Sequence, residues 1–205
     1  MQHLNGDQIC SIDTETTGLD ADYHEIIQLA ILPLNADLKP RKDVMPFYIN
    51  MIPEHPERYS PEAAKVSKLT LETVTRTGFD QIKAIDLFED WVGKLGLPHT
   101  PSGIRKRIIP LGQNYSHDKA FIMKWLGVDL YNDIFHYHYR DTMIAAQYLN
   151  DRAAFHAEKV PYSKVSLAWL ANQHHVELDR AHDALQDCRA TAEVYRAMVC
   201  QGLLG

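Results

Sequence analysis

The chain has 205 residues, 45% of them hydrophobic and 23% charged, with a formal net charge of −6. That length and balance fit one soluble domain spanning 1–205 with a sizeable core. The negative charge argues against a broad surface that coats duplex nucleic acid, whose affinity comes from phosphate neutralisation. It leaves open a carboxylate site that becomes cation-binding once metal is present. Cys10, Cys188 and Cys200 include no CxxC pair, which argues against a disulfide framework or a zinc knuckle. The opening MQHLNGDQIC lacks a basic then apolar leader, and no apolar run approaches the ~18–20 residues of a membrane span. A reduced, cytoplasmic domain away from membranes is the expectation.

In chain order, residues 8–15 read as a first strand, ended by the turn-like Thr16-Thr17-Gly18. EIIQLAILPL (25–34) is a second strand, and after a turn at Asn35-Ala36-Asp37 a third runs near 43–50. Such short connections suit an antiparallel meander. SPEAAKVS (60–67) begins a helix with Ser60 as N-cap, Pro61 at the first helical position and Glu62 behind it. Residues 79–95 place Ile82, Ile85, Phe88, Val92 and Leu95 at helical spacing, with Gly96 as the stop. A Pro/Gly-rich loop (96–107) ends in the basic cluster Arg105-Lys106-Arg107. Then follow an apolar strand (107–114), a helix (117–127) closed by Gly127, a strand candidate FHYHYRD (135–141), and helices over 142–152, 165–175 and 182–199. Strands first and interleaved strand–helix units later predict an α/β fold, a mixed sheet flanked by helices.

Chemistry concentrates at three places. Asp13 and Glu15 lie two residues apart on a strand, so both project to one face. Like charges at that spacing repel, and desolvating them near a core costs several kcal/mol per ion, roughly. A cation between them removes the conflict; otherwise they are solvated strand-end acids. Asp118 sits on the helix after an apolar strand. Asp187 sits on the last helix, with His182 five residues earlier. Five residues at ~100° each do not return to one helix face, so His182 is expected at or before the helix start, reaching inward from the loop.

Asp13-x-Glu15 in DTETTG, Asn114-xxx-Asp118 in QNYSHD and His182-x-Ala184-xx-Asp187 together resemble, in order, the three motifs of the DEDDh 3′→5′ exonucleases. That family includes the proofreading ε subunit of bacterial DNA polymerase III and ribonuclease T. The resemblance implies an RNase H-like fold, with three antiparallel strands followed by parallel additions, and two-metal phosphodiester hydrolysis. Asp13, Glu15 and Asp187 would hold one Mg²⁺ or Mn²⁺, Asp13 would bridge to a second, and Asp118 would support that second ion directly or through water. Hard divalent ions suit carboxylate and water oxygens, and two of them can stabilise both the attacking and the leaving oxygen. His182 would be the general base, an imidazole with an ordinary pKa of ~6.5 being able to take a water proton near neutrality. Thr16, Thr17, Gly18 and Leu19 would meet the terminal nucleotide, with Leu19 against a base, and Asn114 would order the strand–helix junction beside Asp118. Gly18 has its own reason, a turn that needs positive φ or close backbone approach.

The implied substrate is the 3′ end of single-stranded or frayed DNA. RNA is the nearest rival, since the carboxylates do not read the sugar. A different class of reading is an interaction subunit with a vestigial exonuclease site; the intact four acids and His182 argue against it. A polymerase or a second copy of the chain is a further expected partner. With six residues after Val199 and no long tail, docking would use the folded surface. His136 and His138, placed on one strand face, fall short of the three or four ligands zinc takes. His174 and His175 suit a helix C-terminus. The basic segments Lys39-Pro40-Arg41-Lys42 and Arg105-Lys106-Arg107 read as solvated loops, with phosphate contact the alternative.

Overall fold

The computed structural model describes residues 6–178 and 182–202. The opening residues 1–5, on which part of the leader argument falls, and the two ends of the 1–205 domain lie outside the described residues. The centre is a five-stranded sheet ordered β3-β2-β1-β4-β5, built from β1 (Gln8–Thr16), β2 (Ile26–Pro33), β3 (Phe47–Asn50), β4 (Ile108–Gly112) and β5 (Arg140–Asp141). β1, β2 and β3 pair antiparallel, while β4 joins β1 and β5 joins β4 in parallel. This is the mixed, RNase H-like arrangement expected from the sequence.

Around the sheet lie α1 (Pro61–Ser67), α2 (Leu71–Thr77), α3 (Gln81–Leu95), α4 (Tyr115–Leu126), α5 (Val128–Ile134), α6 (Thr142–Phe155), α7 (Leu167–Gln173) and α8 (Ala184–Gly202). Alternation along β1 sends Cys10 and Ile12 into one core with Phe88 and Val92 of α3, Phe121 of α4 and Tyr131 of α5. Ile9 turns to the other face, where Ala30, Leu32 and Leu111 meet Ala184, Cys188 and Ala192 of α8. A third cluster joins α6, α7 and α8 through Ala146, Leu170 and Val194. Cys10 and Cys188 are buried free thiols and Cys200 is an exposed one. Among the described residues, no helix is long and apolar enough to cross a membrane.

Several local expectations shift. β3 starts at Phe47 rather than 43, because Pro46 has no N–H to give to a ladder; instead Trp91 Nε1 donates to the Met45 carbonyl at 2.8 Å. In FHYHYRD only Arg140–Asp141 forms a strand, apart from a single bridge of Phe135 to Ile108. There the main-chain N–H of His138 donates to His136 Nδ1 (3.0 Å), folding the segment back so that the two histidines no longer share a strand face. Ile82 is 73% exposed; the buried stripe of α3 is Ala84, Phe88, Trp91, Val92 and Leu95. α2 and α5 carry no signal strong enough to be read beforehand. LETVTRT and VDLYNDI begin or alternate with β-branched residues of modest helix propensity, and α2 forms with Thr70 capping Thr73 N–H.

Candidate active site

β1 ends beside Gln28 and Ala30 of β2, in register with Glu15 and Asp13 respectively. On that same face lies the start of α8, and a buried amide holds it there. Gln28 Oε1 accepts the Ala184 main-chain N–H at 2.9 Å, and Gln28 Nε2 donates to Asn50 Oδ1 (2.9 Å) and Tyr48 Oη (3.1 Å). Tyr48 Oη in turn donates to Asp183 Oδ2 at 2.9 Å. The sheet thus takes up N-terminal groups that a helix cannot satisfy internally and sets Asp187 one turn further in.

His182 precedes α8 at φ 70°, a left-handed turn, and is exposed. Its main-chain N–H donates to Asp187 Oδ2 at 3.0 Å. Asp187 Oδ1 is buried without a hydrogen-bond partner. A ligating atom from each of Glu15, His182 and Asp187 lies within 4.8 Å of the others.

Asp118 approaches from the opposite side. Its Oδ1 accepts from Thr14 N–H (2.9 Å) and Thr14 Oγ1 (2.7 Å), so β1 fixes the carboxylate directly. The helix that carries it is held at its first turn by the buried Asp141. This side chain caps α6 through Met143 N–H (2.8 Å) and also accepts from Tyr115 N–H (2.8 Å) and Asn114 N–H (3.2 Å). Asn114 itself is left-handed, φ 60°, with no side-chain cap bond. Asp13 is half-buried and feels Asp118, Asp187 and Glu15. Asp13 and Asp118 stand outside the compact Glu15–His182–Asp187 group.

The crowding is electrostatically costly. Burial first, then Asp118, Asp187 and Glu15, push the Asp13 carboxyl well above its usual range. Burial followed by Asp187 and Asp118 lifts Glu15 to about 8. Burial lifts Asp118 to about 7 against the opposing Thr14 hydrogen bonds, and lifts Asp187 against the pull of His182. All four acids shift in the direction that burial and like charge impose. A buried acceptor with no donor and four carboxyls that resist ionising together make a donor set suited to a hard divalent cation.

Beside the acids opens a cavity of about 520 Å³. Thr16, Gly18 and Leu19 line it, with Ala63 and Val66 of α1 and His117 of α4. Leu19 is 86% exposed at its mouth. Gly18 does not have positive φ; a Cβ there would run into the His24 ring, which would have to swing aside. Thr17 turns away from the cavity: its hydroxyl accepts Glu25 N–H at 3.0 Å and its N–H donates to the Glu25 carbonyl at 2.8 Å. Asn114 is not part of the lining either. Thr14, Gln28 and Asp141 were not anticipated. Only Gln28 gave a sign, as the one amide in an otherwise apolar strand.

A model of the exonuclease family RNase_T matches residues 10–101, the part that holds Asp13 and Glu15. Over that part the chain is similar to the exonucleases of this family, and its fold and its gathered acids fit a hydrolytic nuclease of that class. No curated protein sequence matches the chain. Among solved structures, Exonuclease I from Methylocaldum szegediense is 20% identical at a TM-score of 0.71, covering 93% of this chain and 40% of that one. E. coli Exonuclease I in complex with a dT13 oligonucleotide is 17% identical at 0.70, covering 97% and 42%. Cell-death related nuclease 4 is 17% identical at 0.72, covering 98% and 67%. The chain thus spans about two fifths of the Exonuclease I chains, and at these identities the likeness is one of fold.

Proposed function

We propose that the protein is a metal-dependent 3′→5′ exonuclease that releases nucleoside 5′-monophosphates from single-stranded or frayed DNA ends. The observation that carries this reading is the compact Glu15–His182–Asp187 group, with Asp13 and Asp118 near enough to act on its charges, next to a cavity of about 520 Å³ that Glu15 lines. The E. coli Exonuclease I structures with dT13 and dA16 oligonucleotides favour DNA as the polymer.

Asp13, Glu15 and Asp187 would hold Mg²⁺ or Mn²⁺, and the unpartnered Asp187 Oδ1 is the clearest acceptor for it. Asp118, with one oxygen engaged by Thr14, keeps the other for a second ion or its water. Bound divalent ions supply Lewis-acid polarisation of the phosphoryl oxygens and a more acidic water. The chain's own part is positioning and proton transfer. Leu19 packs on the terminal base, Thr16 and Gly18 border the sugar, and the exposed His182 ring accepts the proton of the attacking water. Thr17 serves through the hairpin that shapes the turn, and Asn114 through the left-handed entry into α4.

The test is Mg²⁺-dependent digestion of 5′-labelled single-stranded DNA and RNA of one sequence, run beside Asp13→Ala. A ladder shortening from the 3′ end and lost in the variant is expected, faster on DNA. No ladder with either polymer in Mg²⁺ or Mn²⁺ overturns the reading.

A further inference from the structure

The entry to α8 crosses three strands of the sheet in succession. Two cross-strand rows lie under it, Asp13, Ala30 and Tyr48 in one and Glu15, Gln28 and Asn50 in the next. Residues in register on paired strands project to one face. In the middle of the first row the small Ala30 is buried under α8, where Cys188 Sγ donates to its carbonyl at 3.5 Å. The helix can therefore lie close on the sheet, with the acids of β1 on one side and the aromatic of β3 on the other. Asp183 meets Tyr48 of β3, Ala184 meets Gln28 of β2, and Asp187 meets Glu15 of β1.

Asp183 is engaged at all three of its oxygens. Its Oδ1 accepts Gln186 N–H at 3.2 Å, the bond of a helix N-cap, and its carbonyl accepts Asp187 N–H at 3.0 Å. Its Oδ2 accepts the Tyr48 hydroxyl at 2.9 Å, and that hydroxyl is itself steadied by Gln28 Nε2 at 3.1 Å. His182, one residue back, is exposed and tied through its main-chain N–H to Asp187 Oδ2. Asp187 is buried within the helix, so slack at the cap reaches His182 before it reaches Asp187. We propose that Tyr48 and Asp183 are a positioning pair for His182. The hydroxyl of β3 pins the cap of α8, and the pinned cap fixes the backbone turn that presents the imidazole to Glu15 and Asp187, leaving the ring its own rotation. The proposal rests on the nuclease reading above, in which His182 takes a proton, and adds two residues that act through it. The competing role for the pair is to hold α8 on the sheet and nothing more.

Tyr48→Phe removes one oxygen and leaves Gln28 its bonds to Ala184 and Asn50. On 5′-labelled single-stranded DNA at saturating Mg²⁺ it should lower kcat by about 10-fold, the scale of a misplacement well under 1 Å. KM and the Mg²⁺ dependence should stay nearly unchanged. Asp183→Ala loses cap and anchor together and should cost more. Asp183→Asn keeps a capping oxygen and a polar partner for the hydroxyl, and should recover most of the rate. In a His182→Ala background, Tyr48→Phe should change the residual rate by less than about twofold, because the group it acts through is gone. The full loss persisting in that background, or no loss in the wild-type background, overturns the pair and leaves it to hold α8 alone. A second readout needs no turnover. The His182 Hε1 resonance, assigned by its absence from His182→Ala, should shift or broaden in Tyr48→Phe. If the wild type makes no 3′ ladder, the nuclease reading has failed, and that resonance alone decides: moved, it supports the positioning; unmoved, it overturns it.

Discussion

The two walls of the cleft are built to different standards. On the β1 wall, Asp13 and Glu15 stand on a strand paired to β2 at their own positions and to β4 up to Ser11, and Asp118 is tied to that strand by two hydrogen bonds from Thr14. On the α8 wall, Asp187 belongs to a helix clasped by Gln28, but His182 lies before the helix, exposed, held in the described structure through its main-chain N–H. Groups that must receive an ion gain from being fixed in advance, and rigid elements fix them. A group that must take a proton and give it up again gains from a ring free to move. On the proposed reading, the contrast separates acids fixed in advance to receive an ion from a histidine placed at the mouth of the cleft to take a proton.

The strongest way to break the comparison is to remove an acid. Asp13→Ala or Asp187→Ala should abolish turnover, at least about 10⁴-fold, while circular dichroism and Tm report a retained fold; metal titration by calorimetry should weaken in parallel. Near wild-type rates in either variant would remove the metal assignment. His182→Ala comes next. Loss of a general base typically costs 10²–10⁴-fold, roughly, and metal affinity should fall far less than in the acid variants, because the carboxylates are the proposed ligands. An unchanged pH–rate profile would assign the proton transfer to another group.

Gln28→Ala cuts the clasp between the walls without touching either. It takes the partner from Ala184 N–H and from Asn50 Oδ1 and loosens the turn that positions Asp187 and His182, so the rate should fall by about 10–100-fold, the scale of a 1 Å misplacement. Gln28→Glu keeps the acceptor for Ala184 and should recover part of that loss, though it adds a further charge to an acidic cleft. Equal losses in the two variants would mean that Gln28 matters only to packing.

How much of this the sequence discloses depends on distance along the chain. The antiparallel β1–β2 hairpin, the Ser60 cap of α1 and the Gly96 stop of α3 are local, and each was legible from residue types at fixed offsets. So were the spacing of Asp13 and Glu15 and the position of His182 outside α8. The supports were not. Gln28 and Ala184 are 156 residues apart, and Asp141, at the end of the strand candidate 135–141, gave no hint that it anchors Tyr115 N–H. Ile82 was read into the stripe with Phe88, Val92 and Leu95 and still faces outward, because two successive steps of three residues turn it about 120° from Phe88.

The smallest effect is on stability, and its sign separates a strained receptor from a relaxed one. Glu15 titrates at about 8 in the folded protein against ~4.3 in an unfolded chain. Between those values the folded state holds a proton that the unfolded state has lost, so stability contributed by Glu15 falls as pH rises from about 4.3 and the loss is complete near 8. Asp118, at about 7, acts in the same direction. His117, His136 and His174 oppose them: burial lowers their pKa values, and folding gains as pH rises past the range where the unfolded chain carries that charge. Asp37 and Asp43, held low by Lys39 and Arg41, add a gain confined to the acid side. The clean quantity is therefore a difference. In the metal-free protein, Glu15→Gln should gain Tm over the wild type steadily from pH 5 to pH 8, by several degrees at the upper end. Saturating Mg²⁺ should shrink the gap, because an ion stabilises the ionised carboxylate that the variant lacks. A gap independent of pH, or one that grows with Mg²⁺, would mean that the acids of β1 are not strained by one another and that the cation they are built for lies elsewhere.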